Sequence, residues 1–238
     1  MKLTIALLFV FFLLVLGTDC ILIINQANEY RIYTKPFLMP VLYIMLALET
    51  VDTTHKRSKV IVGLILLFSF FGDVLLLYDK DKLYFTSGLF CFLAAHILYT
   101  IFFFKIKRPS LKNAVVILIA AVFISVYLYL LLNAMWEKIV DENYNMSVIG
   151  YAISIGLMFT AAISTVTGKR ARRTGWKNFV PGAFLFVISD SIFAITNFYP
   201  FTGGQVPSLM AGLNGIAMVV YGVAQLLLIT GTIKFIKK

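Results

Sequence analysis

Long apolar runs separated by short polar segments dominate the chain of 238 residues. Runs of about 20 apolar residues are typical of helices that cross a bilayer, whereas the strands of membrane barrels are short and alternate polar with apolar positions. The pattern therefore predicts an all-α, polytopic membrane protein with eight transmembrane helices. The predicted spans are Leu3–Ile24, Pro36–Thr50, Lys59–Tyr78, Leu83–Phe104, Asn113–Leu132, Ser147–Thr167, Asn178–Phe198 and Leu209–Ile236.

The first two spans are less regular than the others. Pro36–Thr50 has only about 15 residues, and the preceding stretch Tyr30–Thr34 could complete it. Leu3–Ile24 is similar to a signal peptide, but its apolar run is long, and Asp19-Cys20 matches neither a cleavage site nor a lipoprotein box. We therefore interpret it as a retained span. Because every connection is short, we predict one transmembrane domain over residues 1–238.

Composition and charge agree with this interpretation and add an orientation. Hydrophobic residues make up 61% of the chain and charged residues 13%, which excludes a disordered chain, a secreted disulfide scaffold and an ordinary cytosolic enzyme. Of the 21 Lys and Arg residues, 16 lie at the two termini and in the even-numbered loops. This bias places both termini in the cytoplasm. It also accounts for most of the net charge of +10, so we expect a lipid bilayer as partner and no nucleic acid.

Two aspartates lie deep in predicted spans, Asp73 in the third and Asp190 in the seventh. Both spans run in the same direction, and both aspartates lie past the midpoint, so we expect them at similar depth in the outer half. An ionisable side chain within a span is costly and indicates a functional site. Two such carboxyl groups in one pocket would hold their protons unequally, as an acid/base pair requires. The alternative is that each only ties neighbouring helices together.

Asp19 and Glu49 lie nearer the ends of their spans. Either could reach water, so a structural role is as compatible with their positions as a functional one.

Other polar residues recur at helical spacing. His96 and Tyr99 are three residues apart, whereas Asn214, Tyr221 and Gln225 are seven and four apart and form one stripe on the last span. An alternative role for His96 is a tie between helices. An alternative for the tyrosines is that of interfacial anchors, although Tyr221 lies deep in its span for that role. The candidates for binding substrate or positioning water are Lys35, His96, Tyr99, Asn197, Tyr221 and Gln225.

The positions of Asp73 and Asp190 also suggest an internal repeat. Each lies in the third span of its half, and each follows a small residue, Gly72 or Ser189. A parallel repeat of four plus four spans would bring the two aspartates together across an axis along the membrane normal.

Several kinds of chemistry lack a matching pattern. The two His and two Cys residues show no metal-ligand spacing, and there is no phosphate-binding glycine loop or nucleophile elbow. We therefore predict no metal and no cofactor. Intramembrane aspartyl proteases fit poorly, because their second Asp motif is Gly-x-Gly-Asp, whereas here Gly72-Asp73 comes first, with Phe70 before it, and the second pair is Ser189-Asp190.

A set of short motifs, in order along nearly the whole chain, resembles the YhhN-like lysoplasmalogenase family of membrane proteins. These motifs are Lys35-Pro36, Phe71–Leu76, Gly88–Phe90, Ala95–Tyr99, Gly182–Phe186, Ser189–Ser191 and Tyr221–Gln225. The resemblance implies hydrolysis of the vinyl ether bond of a lysoplasmalogen to a fatty aldehyde and a glycerophospho-base. It also implies that Asp73 and Asp190 are the catalytic acids. Gly222 departs from the bulkier residue expected there.

Vinyl ether hydrolysis agrees with the residues themselves. The slow step is protonation of carbon, for which a proton donor and a nearby carboxylate are the required groups. An amphiphilic lipid substrate would enter from the bilayer. The alternative is a small proton-coupled transporter or a lipid-binding membrane protein that uses the acidic pair as a proton site. The substrate, its head group, the acid of the pair and the oligomeric state stay open. Frequent Lys, Ile and Phe favour a bacterial protein of the cytoplasmic membrane.

Overall fold

A computed structural model describes residues 2–51, 54–200 and 206–237. All regular structure in these residues is helical, without a strand. Eight of the helical stretches are long and apolar enough to cross a membrane, which confirms the predicted fold class. The cytoplasmic location of both termini and the single domain stay predictions. Lys238, one of the basic residues behind the predicted orientation, lies outside the described residues.

Each predicted span contains one long helix. The helices are α1 (Lys2–Ile24), α2 (Leu38–Glu49), α3 (Lys56–Leu75), α4 (Lys82–Ile106), α5 (Ala114–Asn133), α6 (Asn145–Thr165), α7 (Val180–Phe198) and α8 (Pro207–Ile236). Shorter segments adjoin them: 3₁₀ turns at Asn28–Tyr33, Lys35–Phe37, Leu76–Tyr78 and Leu111–Asn113, short helices at Trp136–Asp141 and Arg172–Thr174, and a π-helical turn at Gly175–Phe179.

The second span is longer than its apolar core. Two 3₁₀ turns precede α2, so that the continuous helical stretch runs over Asn28–Glu49 and has 22 residues. Pro36 lies in the second of these turns, in a first helical turn where the missing N–H is tolerated. The preceding stretch therefore completes the span. It also places Arg31 and Lys35 inside the protein, at the end of the helix bundle where α1 and α3 finish. We call this end the outer end.

Helix α8 is the most enclosed helix and α5 the least. Within the apolar window of each span, 61% of the residues of α8 are buried, compared with 6% of those of α5. Helix α8 packs against α7, α1 and α2, while α4 packs against α3 and α6, and α5 packs against α6. The polar stripe on α8 therefore faces protein on several sides, whereas most of α5 faces outwards.

Two glycines allow the helices to approach closely. A Cβ atom at Gly222 would lie 2.5 Å from the side chain of Leu16 on α1, and one at Gly72 would lie 2.6 Å from the ring of Phe92 on α4. Small residues at helix crossings serve this purpose in membrane proteins. The contact with Leu16 explains why a bulky residue is absent at position 222. The contact with Phe92 fixes the backbone directly before Asp73.

The contacts between helices are compatible with the predicted repeat and do not establish it. Consecutive spans pack against each other within each half, from α1 to α4 and from α5 to α8. Between the halves, the contact of α4 with α6 corresponds to that of α8 with α2. The repeat stays a prediction.

Candidate functional site

The two intramembrane aspartates come together at one cavity. A space of about 100 Å³ near the outer end is lined by Asp73 from α3 and Asp190 from α7. Lys35, Tyr151 and Tyr221 also lie on its wall. We call this space the acidic chamber. Asp73 and Asp190 are 117 residues apart in the chain, so only the packing of the helices brings their carboxyl groups to one wall.

Asp73 has a cation and a hydroxyl group as partners. The Lys35 ammonium lies 3.6 Å from Oδ1, and the Tyr221 hydroxyl donates a hydrogen bond of 2.9 Å to Oδ2. The Asp73 side chain is only 2% exposed. Because a buried carboxylate is costly unless it is paired and hydrogen-bonded, these two partners account for its stability in this position. Lys35, a candidate from the sequence for binding substrate or positioning water, therefore lies beside the acidic pair.

A chain of hydrogen bonds extends from Tyr221 away from the chamber. The Gln225 side-chain amide lies 3.4 Å from the Tyr221 hydroxyl and 3.3 Å from Ser69 Oγ, to both of which it donates. Its oxygen accepts a bond of 2.9 Å from the Tyr99 hydroxyl. Tyr99 and Gln225 are fully buried and lie behind Tyr221. They therefore support the chamber wall rather than form part of it.

Asp190 has different partners. The Tyr151 hydroxyl donates a bond of 2.5 Å to Oδ2, and Nε2 of His96 lies 3.8 Å from the same oxygen. His96 is fully buried, its Nδ1 is 3.3 Å from Ser154 Oγ, and its Nε2 has no hydrogen-bond partner among the residues that the structure describes. The Asp190 side chain is 18% exposed. Each aspartate therefore accepts from a tyrosine hydroxyl, but the second neighbour of Asp190 is an imidazole, whereas that of Asp73 is a lysine.

Asn197 is not brought to the chamber. Its side-chain amide donates to the backbone carbonyl of Phe193 in its own helix, and its backbone carbonyl accepts from Lys138. The spacing of seven residues puts Asn197 on the same face as Asp190, but about 10 Å further along the axis. Asn214 from the predicted stripe does line the chamber, where its oxygen accepts a bond from Thr196.

An apolar cavity adjoins the chamber, and we call it the annex. It encloses about 60 Å³ and shares Leu89, Tyr151, Asp190 and Phe193 with the chamber. Apolar side chains of α5, α6 and α7 form most of the rest of its wall. These include Leu128, Leu131, Leu132, Val148, Ala152, Ile155, Val187 and Ala194. Asp190 and Tyr151 thus lie at the boundary between polar and apolar space.

A larger polar cavity adjoins the chamber at the outer end, and we call it the vestibule. Its volume is about 830 Å³, and it shares Ile23, Arg31, Leu76, Asp79 and Asn214 with the chamber. Asp79 follows the third span directly, and burial raises the pKa of its carboxyl group above the usual range. The vestibule, chamber and annex adjoin one another in that order.

Asp19 is fully buried, although its position near the end of its span would have allowed it to reach water. Its carboxylate accepts hydrogen bonds from Arg31, at 3.3 Å from Nε and 3.0 Å from Nη2, and from the Thr34 hydroxyl at 2.6 Å. At the opposite end of the bundle, Glu49 forms an ion pair with Lys237. Asp19 thus holds an arginine that faces the chamber, whereas Glu49 ties two helix ends together.

Three side chains at these cavities were missed by the sequence analysis. Tyr151 carries no signal of its own, because it is one of 12 tyrosines. Arg31 was treated as part of the charge pattern, and Asp79 was passed over because it lies outside a span. Their arrival at the same cavities as Asp73 and Asp190 depends on how the helices pack.

Comparisons with known proteins point to one family. The YhhN family matches residues 30–232, a segment that begins within the second span and includes both Asp73 and Asp190. Searches of curated proteins and of solved structures each found no match. The match covers most of the chain and agrees with the eight apolar helices and with the ordered motifs. The chain therefore belongs to the YhhN family.

Proposed function

We propose that the protein hydrolyses the vinyl ether bond of lysoplasmalogen-type lipids to a fatty aldehyde and a glycerophospho-base. The observation that carries this proposal is the placement of two carboxyl groups, Asp73 and Asp190, on the wall of one chamber between an apolar annex and a polar vestibule. The reactive bond of such a lipid lies between an alkenyl chain and a polar head. The three cavities follow the same order of polarity.

This order of cavities orients the substrate. The alkenyl chain lies in the annex, the head group in the vestibule, and the vinyl ether in the chamber. The α5 side chains on the wall of the annex belong to the least buried helix of the bundle. A lipid tail therefore has a short path from the bilayer, past α5, to Asp190.

The orientation also assigns a role to each carboxyl group. In R–CH=CH–O–R′ the carbon that accepts the proton is on the chain side, and the carbon that becomes cationic is bonded to the ether oxygen. Asp190 borders the annex and lies on the chain side, so it is the proton donor. Asp73 is paired with Lys35 and does not line the annex, so it is the carboxylate that faces the developing oxocarbenium ion.

The steps balance with these two groups and one water molecule. Asp190 transfers its proton to the chain-side carbon, which leaves R–CH₂–CH=O⁺–R′. Asp73 removes a proton from the water molecule as the water oxygen bonds to the cationic carbon, and a hemiacetal forms. Asp73 then returns that proton to the ether oxygen, which leaves as the alcohol R′OH. The hemiacetal hydroxyl gives its proton to Asp190, and the aldehyde R–CH₂–CHO is released.

The test is turnover by purified protein with a 1-alkenyl lysophospholipid, with the aldehyde and the glycerophosphodiester measured by mass spectrometry. Asp73→Asn and Asp190→Asn each lose about 100-fold or more of the rate, since general acid–base catalysis contributes about 10²- to 10⁴-fold. Asp141→Asn is the matched control, because it removes the same charge at an exposed position. Wild-type rates in either chamber variant would refute the mechanism.

The transporter alternative makes a different prediction for the same protein. A proton-coupled transporter in vesicles would show solute flux that depends on a pH gradient, and it would release no aldehyde. Flux without chemical turnover would therefore replace the hydrolase proposal, whereas aldehyde release in detergent, where no gradient exists, would exclude a purely transporting role.

A further inference from the structure

We infer that Arg31, held in place by Asp19, binds the phosphate of a lysophospholipid at the passage between vestibule and chamber. This inference deepens the proposed function, because it identifies the part of the site that recognises the head group. Arg31 lines both the chamber and the vestibule. Any polar head that occupies the vestibule while its chain reaches the chamber passes this side chain.

The anchoring of Arg31 leaves part of its guanidinium group available. Asp19 accepts from Nε and from Nη2, and a guanidinium group has five N–H donors. The Asp19 side chain is fully buried, whereas that of Arg31 is 15% exposed. The carboxylate therefore fixes the arginine from within the protein. Within the described part of the chain the remaining N–H groups have no other acceptor, so they can bind an anion at the passage. Arginine is well suited to phosphate because its planar fork matches two phosphate oxygens.

The charges at the passage favour a zwitterionic lipid over a purely anionic one. Asp79 lines the same two cavities as Arg31, so that one cation and one anion face the passage together. A phosphodiester with an ammonium group satisfies both, with its phosphate at Arg31 and its ammonium at Asp79. A head group with negative charge alone would be repelled by Asp79.

The position of Arg31 also matches the covalent structure of the substrate. In a 1-alkenyl lysophospholipid, the three glycerol carbons separate the ether oxygen from the phosphate ester. With the ether in the chamber between Asp73 and Asp190, the phosphate lies towards the vestibule, where Arg31 is located. Lys35 is engaged with Asp73, so among the described residues that line both cavities Arg31 is the cation that remains for the phosphate.

Binding, rather than turnover, tests this inference directly. The probes are a 1-alkyl lysophosphoethanolamine, which lacks the reactive double bond, and a 1-alkylglycerol of the same chain length, which lacks phosphate. Affinity is measured from the ligand-dependent rise of the thermal unfolding midpoint in one detergent. The principal variant is the double substitution Asp19→Asn with Arg31→Gln, because Arg31→Gln alone would leave Asp19 as an unpaired buried charge.

We expect the double variant to bind the lysophospholipid about 10- to 100-fold more weakly, as for the loss of hydrogen bonds to a charged group, and to bind the alkylglycerol unchanged. Unchanged alkylglycerol binding also shows that the variant is folded. Arg108→Gln is the matched control, because Arg108 is an exposed arginine that lines neither the vestibule nor the chamber nor the annex; its binding of both lipids stays as in the wild type. Asp19→Asn alone should weaken lysophospholipid binding less than the double variant does, as expected of a positioning residue.

Three outcomes would overturn the inference. They are lysophospholipid binding of wild-type strength in the double variant, an equal loss of alkylglycerol binding, and inorganic phosphate binding as tightly as the lysophospholipid, which would mean a site for free phosphate. The proposed hydrolase function fails separately. If wild-type protein releases no aldehyde but binds the alkyl lysophospholipid in a manner that depends on Arg31, the phosphate site stands without the reaction.

Discussion

The hydroxyl group of Tyr221 offers a direct test of how the chamber holds its carboxylates. It donates a hydrogen bond of 2.9 Å to Asp73, and the near-complete burial of that carboxylate leaves little room for water to replace the donor. Tyr221→Phe removes one oxygen atom and keeps the edge contacts of the ring with Phe92 and Phe186. The change therefore removes the charge-assisted bond to Asp73 together with the longer bond of 3.4 Å that the hydroxyl accepts from Gln225, which still donates to Ser69.

The structure sets the size of the expected effect. A hydrogen bond to a charged group contributes about 1.5–3 kcal/mol. After the substitution, Lys35 still lies 3.6 Å from the other carboxylate oxygen of Asp73, so we use about 2 kcal/mol rather than the upper limit. If this bond orients the carboxylate in the transition state, kcat/KM falls by about 30-fold. The free energy of unfolding falls by about 1–3 kcal/mol, because a buried acceptor loses its donor.

The assay measures aldehyde release per mole of folded protein, together with thermal unfolding in the same detergent. Tyr127→Phe is the control, because the Tyr127 hydroxyl donates to neutral Ser191 at 2.8 Å and lies outside the chamber. It should cost about 0.5–1.5 kcal/mol of stability and leave the rate unchanged. Wild-type turnover by Tyr221→Phe, or an equal loss of rate in Tyr127→Phe, would show that the reasoning about Asp73 is wrong.

Three further predictions address the rest of the site. Tyr151→Phe lowers kcat by at least about 10-fold, because it removes the hydroxyl partner of Asp190; an unchanged rate would separate Tyr151 from the proton donor. Ala152→Phe fills part of the annex and raises KM for long-chain substrates more than for short-chain ones, whereas Ile153→Phe on the exposed face of the same helix does neither. Because burial raises the pKa of Asp79, its carboxylate is lost at higher pH than usual, so KM for an ethanolamine head group rises as pH falls through that pKa. Asp79→Asn removes this pH dependence, and an alkenylglycerol substrate never shows it.

Much of the fold follows from the sequence because its signals are local. The thickness of a bilayer requires a run of apolar residues, so the eight spans can be read from composition along the chain, and the structure confirms all of them. The full length of the short second span could also be predicted, since the stretch that completes it lies directly before Pro36. Asp73 and Asp190 stand out for a related reason, because a carboxyl group in an apolar span is costly wherever the helix packs.

The neighbours of the two aspartates could be predicted only in part. Tyr221 and Gln225 share one face of α8, since a spacing of four residues fixes their direction. Asn197 likewise shares a helix face with Asp190, at a spacing of seven residues, yet it does not reach the chamber. Helical periodicity determines the face of a helix that a residue occupies. The depth at which a cavity opens depends on the neighbouring helices.

By itself, then, the sequence determined the membrane architecture, the two costly carboxyl groups and the polar face of the last helix, because each of these follows from residues close together in the chain. Tertiary structure alone decided that Tyr151 bonds to Asp190, that Asp19 holds Arg31 at the passage, and that Asp190 borders an apolar annex. Each of these contacts joins different helical segments. Their formation depends on the crossing and depth of packed helices, which small residues such as Gly72 and Gly222 permit but which no single span specifies.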